Sequence, residues 1–154
     1  ESKLVAEGEV DPRRVALLER WLDAGLELGN HGYDHLDLHT VAPERWMADV
    51  VKGERVTRPL IEARGRSPGW FRHPFLHTGR SAEVQRETAA FLEEHGYRVA
   101  PVTIDNQEWV YAAVYQHAKA NGDVALLRRL VDAYLAACRA DVDRLGILVL
   151  THEK

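Results

Sequence analysis

Cysteine is almost missing from this chain: Cys138 is the single one among 154 residues, so no internal disulfide can staple the fold. It falls in a helical pattern, where a buried structural thiol is expected. No apolar run approaches the ~20 residues that a membrane-spanning helix needs. Positive charge is not in excess either. With 20 Lys and Arg against 24 Asp and Glu, the formal net charge is −4, which removes the electrostatic case for nucleic-acid binding. Internal repeats and low-complexity tracts are lacking. The chain begins at Glu1 rather than Met, and neither a basic n-region nor an apolar h-region follows. A signal peptide is therefore absent from this stretch, which reads as the interior of a longer protein. What is present is ordinary globular composition, 45% hydrophobic and 29% charged. One domain over residues 1–154, with a substantial core, is expected.

Helical and extended signals alternate along the chain. Asp11 is a plausible cap and Pro12 a first-turn proline; Val15, Leu17, Leu18, Trp21 and Leu22 mark one helical face that stops at Gly25. Leu26-Glu27-Leu28 is a short extended run ending at Gly29. Pro43 opens a longer helix through Trp46, Val50, Val51, Val56 and Leu60, ending near Gly65. Trp70-Phe71 reads as a strand leading into a loop punctuated by Pro74 and Gly79. Ser81 caps a helix backed by Gly96. Residues 97–104 read as a strand, 108–120 and 124–145 as helices, and Gly146 to Leu150 as a strand buried on both faces. Such repetition predicts parallel strands with crossover helices, hence an α/β class, as a barrel or an open sheet.

The polar constellations fall at or just after predicted strand ends, the face on which parallel α/β folds build active sites. Gly29-Asn30-His31-Gly32-Tyr33-Asp34-His35 places two imidazoles four residues apart, a spacing that on a helical turn points both the same way. Alone, such a pair is more often solvated than metal-bound. His39 extends the stripe, but three ligands on one straight helical face span about 12 Å, too far for a single ion. The His-Glu-x-x-His protease motif is excluded by Gly32. Arg72, ahead of Pro74 and Phe75, is either a loop arginine held by a surface carboxylate or a guanidinium that orients a catalytic one. The turn after Pro74 can aim a backbone N–H into a site. Asp105 either caps the next helix or, like Glu108 beside Trp109, faces a histidine and tunes it. His152, at the end of the last strand, is a frayed terminal residue or a general acid.

The order His-x-x-x-His, Arg-x-Pro-aromatic, acid–Trp, Leu-x-His resembles the NodB-homology polysaccharide deacetylases, carbohydrate esterase family 4. The resemblance runs from the helix before Leu26 to His152. It implies an incomplete, distorted (β/α) barrel and a divalent metal, commonly zinc, that serves removal of acetyl groups from acetylated carbohydrates. Carried over by position, His31 and His35 match the metal ligands and Arg72 the arginine that pairs with the catalytic base. Pro74 and Phe75 fall on the substrate-binding turn, where the Phe75 N–H helps form the oxyanion hole. Trp109 and Leu150 match the walls of the acetyl pocket, and His152 matches the general acid. Glu108 aligns with the carboxylate that tunes this histidine, with Asp105 as runner-up.

Two departures from the family pattern stand out. Gly32 replaces the usual Ser or Thr, which implies a less rigid metal loop. The leading Asp-Asp motif, source of a base and a third ligand, is not found and should lie upstream of Glu1. With two protein ligands rather than the usual three, weak metal binding and little turnover are expected of this chain. Two readings compete with the enzyme. One is a non-catalytic carbohydrate-binding domain that stacks sugars on Trp46, Trp70 or Trp109; the other is a zinc hydrolase of another α/β family. Family members often act outside the cytoplasm.

Overall fold

Helices and short strands alternate in the computed structural model, which describes residues 2–6, 9–102 and 104–145. The described residues divide into two compact units, with the boundary between Pro101 and Val102.

In the first unit, β1 (Val5–Ala6) and β2 (Glu9–Val10) form an antiparallel pair. This hairpin has no counterpart in the sequence pattern. Helix α1 (Pro12–Asp23) starts as its sequence dictates: the Asp11 carboxylate accepts the Arg13 N–H at 3.0 Å, and Pro12 occupies the first turn, where no N–H is needed. The expected helix from Pro43 to Gly65 is instead two, α2 (Pro43–Lys52) and α3 (Glu54–Glu62), broken at Gly53. A Cβ at Gly53 would sit 3.0 Å from both Asn30 Oδ1 and the Gly32 carbonyl carbon. The break is thus where the loop after Asn30 presses against the helix backbone.

Then come β3 (Trp70–Phe71), a 3₁₀ turn at Pro74–Leu76, α4 (Ala82–Glu94) and β4 (Arg98–Val99). Strands β3 and β4 pair in parallel, Trp70 opposite Arg98 and Phe71 opposite Val99. On the other side Asn30 makes a parallel bridge to Phe71. Helices α2 and α3 connect the first pair of segments and α4 the second, the βα crossovers that the alternation predicts. The strands are shorter than expected. Leu26 to Leu28 lies outside the ladder, and the strand expected over 97–104 stops near Pro101, which has no N–H to donate. The described residues mix helices with parallel strand pairing but do not close a barrel.

The core of this unit is Leu38, Trp46, Val50, Phe71, Leu92 and Tyr97. Trp46 and Phe71 meet edge to face at 5.2 Å and are fully buried. Beneath the strand ends runs a polar network. Asn30 donates to the Val50 carbonyl at 2.9 Å and to the Tyr97 hydroxyl at 3.1 Å. Arg58 holds Glu54 through two bonds of 2.7 and 2.8 Å.

The second unit is a helical hairpin. Helices α5 (Glu108–Ala120) and α6 (Val124–Arg144) are joined through Asn121, Gly122 and Asp123, and Asp123 caps α6 by accepting the Leu126 N–H at 2.9 Å. Tyr111 and Tyr134 meet across it at 5.2 Å. Cys138 is half-buried rather than buried, and its thiol accepts a bond from Asn106 at 3.2 Å. The strand expected over 146–150 lies outside the described residues.

Candidate active site

His31 follows directly on Asn30, at the C-terminal end of the first parallel segment. Its Nδ1 lies 2.7 Å from the Arg72 carbonyl oxygen at the end of β3. A carbonyl can only accept, so Nδ1 donates and Nε2 is the ring atom that can face an ion. That is the arrangement in which a metal-binding imidazole is oriented by its other nitrogen. His35 meets His31 edge to face, the ring centroids 4.7 Å apart. Burial, and then the charge of His31, hold the His35 imidazole below its ordinary 6.5, favouring the neutral form that ligates.

The segment from His31 to His35 is not the helical turn that the spacing suggests. Gly32 at φ +76° and His35 at φ +57° both leave the helical region. The rings still converge because Asp49, on α2, braces the loop. Its carboxylate accepts the Tyr33 N–H at 2.9 Å and the Asp34 N–H at 2.9 Å, while Asn30 Oδ1 accepts the Gly32 N–H at 2.8 Å. The loop expected to be loose at Gly32 is tied down by a carboxylate that sequence reasoning passed over. A buried aspartate on the apolar face of an amphipathic helix was the available signal.

The second constellation stands beside the first. Pro74 is buried; Phe75 and Leu76 adopt φ +57° and +59°, conformations that non-glycine residues occupy only under constraint. The Phe75 ring meets His35 at 4.7 Å, and among the described residues its N–H has no hydrogen-bond partner. The Arg72 guanidinium is exposed and makes no ion pair with a described carboxylate. An open groove of about 690 Å³ runs along the C-terminal ends of these segments, lined by Gly29, Asn30, His31, Arg72, Ala100 and Pro101.

The next residue, His73, points the other way, into the core. It stacks on Trp46 at 5.4 Å, and burial, followed by the His31 charge, takes its pKa down to about 4.

The donor chemistry of the pair fits half of a zinc site: two imidazoles, one oriented through its Nδ1–H. Among the described residues no third His, Cys, Asp or Glu completes it. A complete three-donor cluster exists elsewhere, at Asp37, His39 and His77, whose ligand atoms lie within 4.8 Å of one another. His77 Nδ1 is 2.7 Å from Asp37 Oδ1, and the His39 and His77 rings stack at 3.9 Å. Burial raises the Asp37 pKa, but the bonds from His77 and from the His39 N–H outweigh it and hold the carboxyl below its ordinary value. His39 therefore has partners in space that its helical spacing to His31 and His35 conceals.

In the second unit, Asp105 accepts the Gln107 N–H at 3.2 Å just ahead of α5, whose cap residue is Gln107 itself. Glu108 opens the helix, and Trp109 is two-thirds exposed. Leu150 and His152 lie outside the described residues. Of the three candidate stacking rings, Trp46 is core. Trp70 is occupied, its indole N–H donating to Glu27 at 2.8 Å and its face covered by Arg98 at 4.4 Å.

A family model described as polysaccharide deacetylase matches residues 5–100. Among solved structures, the chain is similar to a family 4 carbohydrate esterase from Streptomyces lividans in complex with acetate. The identity is 20% over 68% of this chain and 51% of that one, with a TM-score of 0.48. It is also similar to a pseudoenzyme of carbohydrate esterase family 4 from Bacillus anthracis, at 19% identity over 71% of this chain and 37% of that one, with a TM-score of 0.49. A mutant of that pseudoenzyme with restored enzymatic activity matches at 20% identity over 71% and 38%, with a TM-score of 0.49. The chain thus spans about half or less of the length of each.

Proposed function

The chain belongs to the polysaccharide deacetylase family, and on that premise we propose that it contributes to a metal-dependent hydrolase that removes acetyl groups from an acetylated carbohydrate. The observation that carries this reading is the His31 Nδ1 contact to the Arg72 carbonyl, which presets one imidazole for an ion beside a second. In this reading His31 and His35 hold a divalent metal, zinc by its preference for imidazole, within an incomplete barrel that extends over the whole chain. Such an ion supplies Lewis-acid charge for an acyl carbonyl and lowers the pKa of water.

The remaining roles fall to the chain's own groups. The Phe75 N–H, without a hydrogen-bond partner among the described residues and on the turn set by Pro74, donates to the oxyanion as the acetyl carbon becomes tetrahedral, a contribution of roughly 3–4 kcal/mol. Arg72 orients the carboxylate that takes the proton of the attacking water. His152 protonates the departing amine or alkoxide, tuned by Glu108 or, failing that, Asp105. Trp109 and Leu150 wall the acetyl pocket. With Trp46 buried and Trp70 covered, the alternative of a sugar-stacking module keeps one of its three rings.

The test is zinc-dependent acetate release from N-acetylated chito-oligosaccharides, peptidoglycan and acetyl-xylan. It is run on the chain alone and on the chain fused behind an aspartate-bearing strand from a family member. Little release is expected from the chain alone. Release by the fusion, abolished by His31→Ala or His35→Ala, supports the reading. A fusion that folds by circular dichroism yet frees no acetate from any of the three overturns it.

A further inference from the structure

We propose that Asp37, His39 and His77 form a second divalent-metal site, of the zinc class, distinct from the His31–His35 pair. The three ligand atoms already lie within 4.8 Å of one another. Donors on a tetrahedral zinc, with bonds of 2.0–2.1 Å, are about 3.3 Å apart. Closing that gap takes side-chain rotation rather than backbone movement, because the backbone is fixed on both sides. Leu38 is buried in the core and Leu36 packs against it, while the Asp37 carboxylate accepts the His39 N–H at 2.8 Å, which ties the two ligand residues together. The turn is closed by the Thr40 and Val41 N–H groups, which donate to the Asp37 carbonyl at 2.9 and 3.1 Å. Across from it, the His77 N–H donates to the Pro74 carbonyl at 3.1 Å. Solvent reaches the cluster, since the His77 side chain is 38% and that of Asp37 21% exposed.

An ordinary Asp–His hydrogen bond explains the 2.7 Å contact but gives His39 no reason to stack on His77. Two imidazoles and one carboxylate, with positions left for water, are a donor set for zinc-class ions. Imidazole nitrogen discriminates against magnesium and calcium, which demand oxygen. The site is separate from the first, because neither His31 nor His35 joins the cluster. It lies close to it: the Phe75 ring centroid is 4.7 Å from that of His35 and 5.9 Å from that of His77. An ion there pins the loop after His35 to the turn that carries Phe75, whether or not the protein hydrolyses anything.

Cobalt(II) alone is the probe, titrated into the 154-residue chain and followed by its visible d–d absorption. The expected result is a band that persists with unchanged affinity in His31→Ala/His35→Ala. In His39→Gln/His77→Gln, affinity falls at least about 100-fold, more than loss of a supporting residue costs. Asp37→Asn, which keeps an oxygen to close the turn, weakens binding less. Far-UV circular dichroism without metal checks that each variant is folded, and a zinc-induced rise in Tm is expected for every variant that keeps the band. A band lost in His31→Ala/His35→Ala but kept in His39→Gln/His77→Gln overturns the proposal, as does the absence of any band in the parent chain. Acetate release plays no part, so the outcome is independent of the deacetylase reading.

Discussion

Gly32 is where the local sequence and the tertiary structure make opposite demands. A side chain there is strained by φ +76°, and its Cβ would lie 2.6 Å from Asp49 Oδ2, the carboxylate that braces the loop. Gly32→Ser, the more usual family residue, is therefore expected to destabilise this chain by about 1–3 kcal/mol, from left-handed strain plus displacement of Asp49. Asp49→Ala removes the clash but takes the carboxylate from the Asp34 N–H, while the Tyr33 N–H keeps the Asp49 carbonyl at 3.2 Å; it is expected to cost about 1–3 kcal/mol and to loosen the His31–His35 pair. Urea unfolding of both single variants and of the double checks this. A double variant whose loss equals the sum of the singles would show that the two sites do not interact. At this scale the sequence showed the groups of the candidate site and concealed what supports them. His31, His35, Arg72 and Phe75 announce themselves by type and order. Asp49 gives a fainter signal, an acid on the apolar face of α2, and its role depends on a loop 15 residues away meeting that helix.

Among the elements, helices were legible and their interruptions were not. Asp11 with Pro12, Ser81 and Asp123 each start a helix where side-chain capping requires it, because a cap is a property of four adjacent residues. The break between α2 and α3 follows from no local rule. Gly53 there has φ −68°, which any residue can adopt, and its small size matters because the Asn30–Gly32 backbone lies against it. This separates two contributions of opposite sign. Glycine to alanine in an unstrained helical position stabilises by roughly 0.5–1 kcal/mol. At Gly53 the 3.0 Å approach is expected to reverse the sign, so that Gly53→Ala costs about 1–3 kcal/mol by overpacking. Ser81→Ala, which loses the cap on the Val84 N–H at 3.2 Å, is expected to cost about 1 kcal/mol. Thermal denaturation ranks the two; a Gly53→Ala variant more stable than the parent would show that the loop yields to the helix. Strands were the least legible elements, since each is two residues long and exists through its neighbour rather than its own pattern.

On the scale of the whole molecule, the alternation of helix and strand gave the parallel crossovers, and strand-end placement brought His31 to Arg72. It could not show that the same packing buries two titratable groups, His73 and Tyr97, on either side of Phe71, and these set the pH range of stability. Burial holds His73 near 4, below its ordinary 6.5, so the unfolded chain takes up a proton that the folded one refuses. This stability is complete above pH 6.5 and is lost as pH falls towards 4, before most carboxylates titrate. His35 adds a smaller term of the same sign. Burial also raises Tyr97 to about 12 from its ordinary 10.0, despite the Asn30 bond that lowers it. The folded chain therefore keeps a proton that the unfolded one releases; the contribution is complete below pH 10 and lost as pH rises through 12. Unfolding free energy against pH is thus expected to form a plateau with an acid limb from 6.5 to 4 and an alkaline limb from 10 to 12. His73→Phe, which keeps an aromatic ring against Trp46, flattens the first limb down to the part His35 contributes and leaves the second. Tyr97→Phe lowers the plateau by about 1–2 kcal/mol through the unpaired Asn30 amide and flattens the second. Denaturant titrations across the pH range measure both, and an acid limb of unchanged slope in His73→Phe would remove His73 from the account, leaving the Trp46–Phe71 core without its pH-sensing member.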